Sequence, residues 1–492
     1  MRDFGYDIAD HRGVDPVFGT LADFDRLVAG AHARGLKVLI DQVWGHSSDL
    51  HPWFRESRTS RRSDYADWYV WADPKPDGTP PNNWLSVFGG PAWQWEPRRR
   101  QFYLHHFLPS QPTLNLRNAA VVAEMLDIGA FWLDRGVDGF RLDAVDFLLH
   151  HPELRDNPAQ PPTDGQVPAK LFGLQRHLHD MLHRDIALVL QRVRGLMDRH
   201  PGRTTLAEVS SQAGAFERIA RYTAGAGQLH MAYTLQPLRG KFDRAAVCRL
   251  LTDAGDASGW PAWSFSNHDV ERAVSRWAPC PGGPVDPDFA RLLMGLMLSL
   301  RGSVSIYQGE ELGLPAAVVA AEDMKDPFGI AFYPEYASRD SSRTPMPWVA
   351  DAVQAGFTTG IPWLPLDPRH VGLSADSQMG DSTSVLHAWR QFLAWRKSHP
   401  ALVHGEIESV AAPEPLIAFR RSAADETLLV VLNLSGAAVR LPAPLIAGAH
   451  PLEGHGFASS RQGDSVVLPR YGMLFAEATG SAARTQVLEA AR

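Results

Sequence analysis

The chain has 492 residues, with 48 Lys and Arg against 55 Asp and Glu and a formal net charge of −7. That length holds two or three domains, and the mild acidity argues against nucleic acid or an anionic membrane surface as partner. Two cysteines are too few for a disulfide framework or a thiolate metal site. No apolar run is long enough to span a bilayer, and the charged and aromatic residues Met1 to Asp10 are not a secretory signal, so a cytoplasmic location is expected.

Asp3-Phe4-Gly5-Tyr6-Asp7 precedes any strand or helix. Leu21, Phe24, Leu27, Val28 and Ala31 recur at helical spacing, which predicts a helix over Thr20 to Ala33 with Thr20 or Asp23 as its cap. Gly35 ends it, and the apolar run Leu36 to Val43 reads as a buried strand closing on Asp41, Trp44 and His46. Ser47 to Asn118 is rich in Trp, Pro and Arg, is too long for a loop, and reads as an inserted domain. A helix over Ala119 to Arg135 leads through Gly136 to a run in which Phe140, Leu142 and Ala144 alternate with Arg141 and Asp143. That is strand periodicity, and it puts Arg141 and Asp143 on one face.

Further strands are predicted at Thr204 to Val209, which holds Glu208, and at Gln228 to Leu235. Gly259 to Phe265 leads into Ser266-Asn267-His268-Asp269, and Val304 to Gln308 into Gly309-Glu310-Glu311. Helices fall between, about Leu182 to Arg199, Arg239 to Asp253, Asp286 to Leu300 and Ser384 to Ser398. From Ala401 to Thr479 short alternating strands predict an all-β sandwich. The polar, Ala-rich stretch Gly480 to Arg492 is expected to be mobile.

Repeated βα units favour a parallel sheet, closed or open. In a (β/α)8 barrel the catalytic groups sit at the carboxyl ends of strands. Asp41, Asp143, Glu208 and Asp269 all stand at predicted strand ends. A cation beside a carboxylate keeps it ionised, which Asp143 needs if it is to attack carbon. Carboxylates on neighbouring strand ends suit glycosidic bond cleavage. One acid protonates the leaving oxygen, and a second carboxylate attacks the anomeric carbon or activates water. Tyr6, Trp44 and Trp53 offer aromatic faces to a sugar, although each alone reads first as core packing.

The motif regions are Asp41-Gln-Val-Trp-Gly-His46, Gly139-Phe-Arg-Leu-Asp143, Ala207-Glu208-Val209 and Ser266-Asn-His-Asp269. With Gln111-Pro-Thr-Leu-Asn115 and Arg343-Thr-Pro-Met-Pro-Trp348, they resemble in order and spacing the α-amylase superfamily of retaining glycosidases (glycoside hydrolase family 13). Within it the chain most resembles the α-glucosidase and oligo-1,6-glucosidase branch, from Met1 to about Ala476. The resemblance implies an α/β fold, a (β/α)8 TIM barrel over residues 1–46 and 119–400. It further implies an inserted domain at 47–118, after strand three, and a C-terminal β domain at 401–479 before the tail 480–492.

It also implies roles. Asp143 is the nucleophile that forms a covalent glucosyl intermediate, and Glu208 is the acid and then the base. Asp269 binds hydroxyls of the distorted sugar ring, Arg141 orients Asp143, and His46 and His268 bond glucose hydroxyls. Tyr6 stacks on the deepest glucose. Asp3 and Arg343 grip its non-reducing end and close the pocket, with Arg339 as second choice for that cation. The implied activity is that of a retaining, exo-acting α-glucosidase on short oligosaccharides and α-glucosides, with transfer to acceptors besides water. Ala144 after the nucleophile implies a preference for α-1,4 over α-1,6 bonds. A sucrose- or trehalose-converting enzyme would share every catalytic residue, and a non-catalytic relative is the third reading.

Expected partners are small sugars alone, with no nucleic acid and no membrane, in a monomer or homodimer. Gly45 and Thr113 depart from the family, which often has Asn and Asp there. The family's first strand, helix and second strand have no counterpart ahead of Asp3, so a barrel lacking its first βαβ elements is expected. The family's Ca2+ or Mg2+ site would lie in that missing segment; no cofactor is required and no metal site is expected in these residues.

Overall fold

A computed structural model describes residues 1–161, 170–210, 214–256, 258–336, 338–462 and 465–478. The chain divides into two units. The first is Met1–Gln236 with Ser258–Ala262 and Val319–Ser341; the second is Pro237–Ala257, Trp263–Val318 and Ser342–Arg492.

In the first unit, Thr20 and Asp23 cap the opening helix together. The Thr20 side chain accepts from the Asp23 amide and the Asp23 carboxylate accepts from the Thr20 amide, a reciprocal box that starts the helix Leu21–His32. Strand β1 (Leu39–Gln42) follows. The segment 47–118 carries β2 (Trp71–Ala72), β3 (Trp93–Glu96) and β4 (Gln101–Leu104), an antiparallel sheet in the order β2-β4-β3. Trp84, Trp93, Phe102 and Leu104 form its own small core. Helix Ala119–Asp134, capped by the Asn118 side chain, leads to β5 (Gly139–Leu142). Helix Ile186–Asp198, β6 (Thr204–Val209), helix Ala215–Thr223 and β7 (Met231–Thr234) continue the alternation. Strand β8 (Pro261–Trp263) begins in this unit.

These strands pair in parallel in the order β1-β5-β6-β7-β8. The helices bury Val121, Met125, Ile128, Val193 and Ile219 against Phe140, Leu142, Ala207 and Val209 of the sheet. Gly139 is required by contact: a Cβ there would sit 2.2 Å from the Thr204 carbonyl oxygen of the neighbouring strand. At the amino end of the sheet, buried Asp138 accepts from His32, Lys37, Arg203 and the Val38 amide, which joins the starts of three strands.

The second unit holds helices Arg244–Asp256, Pro287–Ser299 and Val385–Lys397 and the short strand β9 (Ser303–Val304). Among the described residues eight strands follow: β10 (Glu406–Val410), β11 (Leu416–Ala423), β12 (Glu426–Asn433), β13 (Val439–Arg440), β14 (Ala449–Pro451), β15 (Ser460–Gln462), β16 (Ser465–Leu468) and β17 (Met473–Ala478). They make a five-stranded sheet, β10-β11-β12-β17-β14, and a three-stranded sheet, β13-β16-β15. Leu429, Val431, Leu474 and Ala476 of the larger sheet pack on Val466 and Leu468 of the smaller one and on Leu441 beside it, the interdigitation of a sandwich.

Several elements differ from expectation. The strand expected as buried over Leu36 to Val43 is Leu39–Gln42, with Leu36 and Leu39 exposed, and the helix expected from Leu182 starts at Ile186. The strand expected over Gln228 to Leu235 starts at Met231, because the His230 amide donates to the Thr205 hydroxyl instead of a strand neighbour. The helix expected from Arg239 starts at Arg244, where the Asp243 carboxylate accepts from the Ala246 amide. Only Ser303–Val304 of the stretch up to Gln308 is strand, and Tyr307 to Gly313 turns back on itself. The tail 480–492 lies outside the described residues. Among those residues, no helix is long and apolar enough to cross a membrane and no group of His, Cys, Asp and Glu is arranged to hold a metal ion.

Candidate active site

Strand register places the central cation of the first unit. Asp41 on β1 is level with Arg141 on β5, Arg141 with Leu206 on β6, and Glu208 with Tyr233 on β7. Residues two apart on a strand share a face. Asp41, Arg141, Glu208 and Tyr233 therefore face the same side, and Asp143, just past the end of β5, stands level with Glu208.

From there the Arg141 guanidinium forks. Nη1 donates to Asp41 Oδ2 at 2.7 Å and to Asp143 Oδ1 at 2.9 Å. Nη2 donates to Glu208 Oε2 at 2.5 Å and to the Tyr233 hydroxyl at 2.8 Å, and Nε donates to the same hydroxyl at 3.1 Å. The Tyr6 hydroxyl donates to Asp41 Oδ2 at 2.6 Å. The Tyr6 and Tyr233 ring centroids each lie 5.8 Å from the guanidinium carbon. Burial by itself would lower the pKa of Arg141, but Tyr233, Glu208, Asp143 and Tyr6 around it raise it well above its ordinary value, so the cation is permanent. The side chains of Asp143 and Glu208 are 11% and 5% exposed, so little of either carboxylate is open to solvent. Ala144 adopts the left-handed conformation, φ 41°, and turns the chain directly after Asp143. Its amide donates to Glu208 Oε2 at 3.3 Å.

A tight turn brings the start of the chain into this cluster. The Tyr6 amide donates to the Asp3 carbonyl at 2.8 Å, with Phe4 and Gly5 at positive φ. Asp3 is buried; its Oδ1 accepts from Arg339 Nη2 at 2.8 Å and its Oδ2 from Gln111 Nε2 at 3.0 Å. Arg339 also forks onto Asp326 Oδ1, at 3.0 Å from Nε and 2.7 Å from Nη2, and lies over the Phe88 ring. His46 is buried, with Nε2 3.0 Å from the Tyr6 carbonyl oxygen. Burial outweighs that carbonyl, Asp3 and Asp7 and lowers the His46 pKa to about 4, so the imidazole is neutral.

In the second unit Arg343 holds the turn after β8. Its Nε donates to the His268 carbonyl at 2.7 Å and its Nη2 to Asp269 Oδ1 at 2.9 Å. His268 Nε2 lies 3.4 Å from Asp269 Oδ2, and the Asp269 amide donates to Asn267 Oδ1 at 2.9 Å.

Asp143, Glu208, Arg141 and Tyr6 thus come together, with Asp3 and His46 behind Tyr6, while His268, Asp269 and Arg343 gather in the second unit. The cation on Asp3 is Arg339, and the Arg343 guanidinium is bonded to the Asp269 turn. Glu208 has apolar neighbours in sequence but a guanidinium in space, because adjacent strand residues point to opposite faces. Trp44 is core, and Trp53 packs among His11, His51 and Trp68. Sequence reasoning missed Tyr233 and Asp326. Tyr233 carried one usable signal, a polar ring inside a predicted strand that follows the one bearing Glu208.

Residues 1–405 match the family model described as alpha amylase, catalytic domain. The chain is 48% identical over 484 residues to the "Probable alpha-glucosidase" of Rhizobium meliloti (strain 1021), covering 97% of this chain and 87% of that protein. It is 34% identical over 481 residues to the oligo-1,6-glucosidase of Heyndrickxia coagulans, covering 90% and 84%. Among solved structures it is similar to an alpha-glucosyl transfer enzyme, XgtA, with TM-score 0.91 and 48% identity over 96% of this chain and 89% of that one. It is also similar to the trehalose-6-phosphate hydrolase of Bacillus licheniformis, with TM-score 0.83 and 28% identity over 97% and 90%. Its parallel βα units and C-terminal sandwich are those of a TIM barrel with a C-terminal β domain. The chain belongs to the alpha-amylase family of glycoside hydrolases, in the branch of the alpha-glucosidases and oligo-1,6-glucosidases.

Proposed function

We propose that the protein is a retaining, exo-acting α-glucosidase that cleaves terminal α-glucosidic bonds of short oligosaccharides and simple α-glucosides. The observation that carries this reading is one guanidinium, Arg141, bonded to both Asp143 and Glu208 at neighbouring strand ends. Two carboxylates that share a cation are held close, and a retaining pair needs a separation of roughly 5–5.5 Å. Asp143 attacks the anomeric carbon as the bond to the leaving oxygen breaks, and Glu208 delivers its proton to that oxygen. Glu208 then takes a proton from water, or from an acceptor hydroxyl, which displaces Asp143 and leaves the α-configuration in the product.

Asp269, aimed by Arg343, is assigned to the sugar hydroxyls that tighten as oxocarbenium character develops, with His268 beside it. Tyr6, fixed by Asp41 and by His46 under its main chain, offers its ring to the glucose. Asp3 grips the non-reducing end with Arg339, which takes the role first given to Arg343. Such a closed end admits chain termini only. Ala144 supports the α-1,4 preference, and two unpaired cysteines fit a cytoplasmic enzyme.

Transfer is the second reading, favoured by the 48% identity to an alpha-glucosyl transfer enzyme. Release of p-nitrophenol from its α-glucoside, with the product anomer followed by NMR, tests the proposal. β-Glucose as first product, or no release, overturns it. The ratio of glucose to p-nitrophenol with added acceptor separates hydrolysis from transfer.

A further inference from the structure

We propose that Glu310 is a positioning residue for the turn that carries Asp269, acting through Ser266. The proposal rests on the assignment of Asp269 to the sugar hydroxyls.

Within the second unit the loop after β9 lies against the turn 266–273. The Ser266 hydroxyl donates to Glu310 Oε1 at 3.0 Å and accepts from the Ala273 amide at 2.9 Å. One hydroxyl therefore clips the turn at both ends, with Asp269 between them. Glu310 Oε2 accepts from the Tyr307 amide at 3.0 Å, which fixes the carboxyl to its own loop. Ser266 is 1% exposed, so neither of its bonds is replaced by water. Asn267, next to it, places the Asp269 amide.

Arg272 of the same turn and Arg276 of the short helix that follows it face Glu310 and complete the brace. Arg272 donates to the Gln308 carbonyl at 2.8 Å and stacks over Tyr307, and Arg276 donates to the Phe265 carbonyl at 2.6 Å. On the other side of the turn the Ser342 hydroxyl donates to the Val270 carbonyl, and Arg343 holds Asp269 itself. Asp269 is thus clamped from two directions. Glu310 supplies the one that never touches it. Burial pushes the Glu310 carboxyl up to about 7 against Tyr307, Ser266, Arg272 and Arg276, which favour its charge. A plain turn would be closed by a neutral cap at less cost.

The test uses the full chain with Glu310→Gln, Ser266→Ala, their double variant, Ser266→Thr, and Asp269→Asn as control. Each is assayed for kcat and KM on p-nitrophenyl α-glucoside and for thermal unfolding. A displacement of about 1 Å at a catalytic group lowers rate by about 100-fold. Glu310→Gln and Ser266→Ala should therefore each lower kcat by about 10- to 100-fold with KM nearly unchanged. The double variant should lose no more than the worse single one, since both break one chain of contacts. Ser266→Thr, which keeps the hydroxyl, should restore most of the loss. Parent-like kcat with only a lowered unfolding temperature, or full additivity in the double variant, overturns the proposal. An active parent whose Asp269→Asn variant is equally active overturns the assignment of Asp269, and the proposal with it.

Discussion

Replacing Arg141 by Lys keeps a positive charge and removes the fork. The guanidinium bonds Asp41, Asp143, Glu208 and the Tyr233 hydroxyl at 2.5–3.1 Å, and its side chain is only 12% exposed. An ammonium on a shorter reach serves one or two of these acceptors. Each charge-assisted hydrogen bond lost is worth about 1.5–3 kcal/mol. Asp143 and Glu208 would then no longer be fixed by one cation, and the relative position that the nucleophile-acid pair needs would relax.

A loss of about 4 kcal/mol of transition-state stabilisation corresponds to about a 1000-fold fall in kcat/KM. Arg141→Met, with no charge at all, should fall further and unfold at a lower temperature, since it strands buried carboxylates. The assay is kcat/KM on p-nitrophenyl α-glucoside beside circular dichroism melts of the parent and both variants. If Arg141→Lys keeps kcat/KM within about threefold of the parent, the forked geometry is not what organises the site.

Other outcomes follow from the same contacts. Asp143→Asn should retain the parent's melting curve and lose several orders of magnitude in turnover, because an amide cannot form the glycosyl ester; near-parent turnover would exclude Asp143 as nucleophile. Ala144→Val should lower the unfolding temperature, since a β-branched side chain is disfavoured at φ 41° beyond the strain the Ala Cβ already carries, and a parent-like unfolding temperature would refute this. In the parent, isomaltose cleaved faster than maltose by kcat/KM would sink the α-1,4 assignment. Glu310 makes stability fall as pH rises. Its folded pKa of about 7 lies above the ordinary 4.5, so between those values the unfolded chain ionises first. The full linkage is up to about 3 kcal/mol and is complete above pH 7. Unfolding temperatures at pH 5 and pH 8 should therefore drop more for the parent than for Glu310→Gln, and equal drops would show that the carboxyl is not raised.

The legible part of this protein lies where chemistry and spacing are local. Arg141 and Asp143 share a face because a strand repeats every two residues, and that alone pairs cation and carboxylate. Thr20 and Asp23 were both legible as cap candidates, and their spacing of three lets them act together as one capping box. Glu208 and Asp269 were found as acids at strand ends, and the run of alternating strands after Ala401 announced the sandwich. Other contacts depend on strand register, which no local window contains. Arg141 reaches Glu208 and Tyr233 because Arg141 is level with Leu206 and Glu208 with Tyr233 across three strands. The partner of Asp3 is further still: Arg339 lies 336 residues along the chain, and only the folded path selects it over Arg343, four residues away and bonded to Asp269. Glu310 was visible as an acid after a strand, but the Ser266 hydroxyl it grips comes from another strand's end. Periodicity specifies which side chains face the same way; which of them meet is decided by how the strands align and where the loops return.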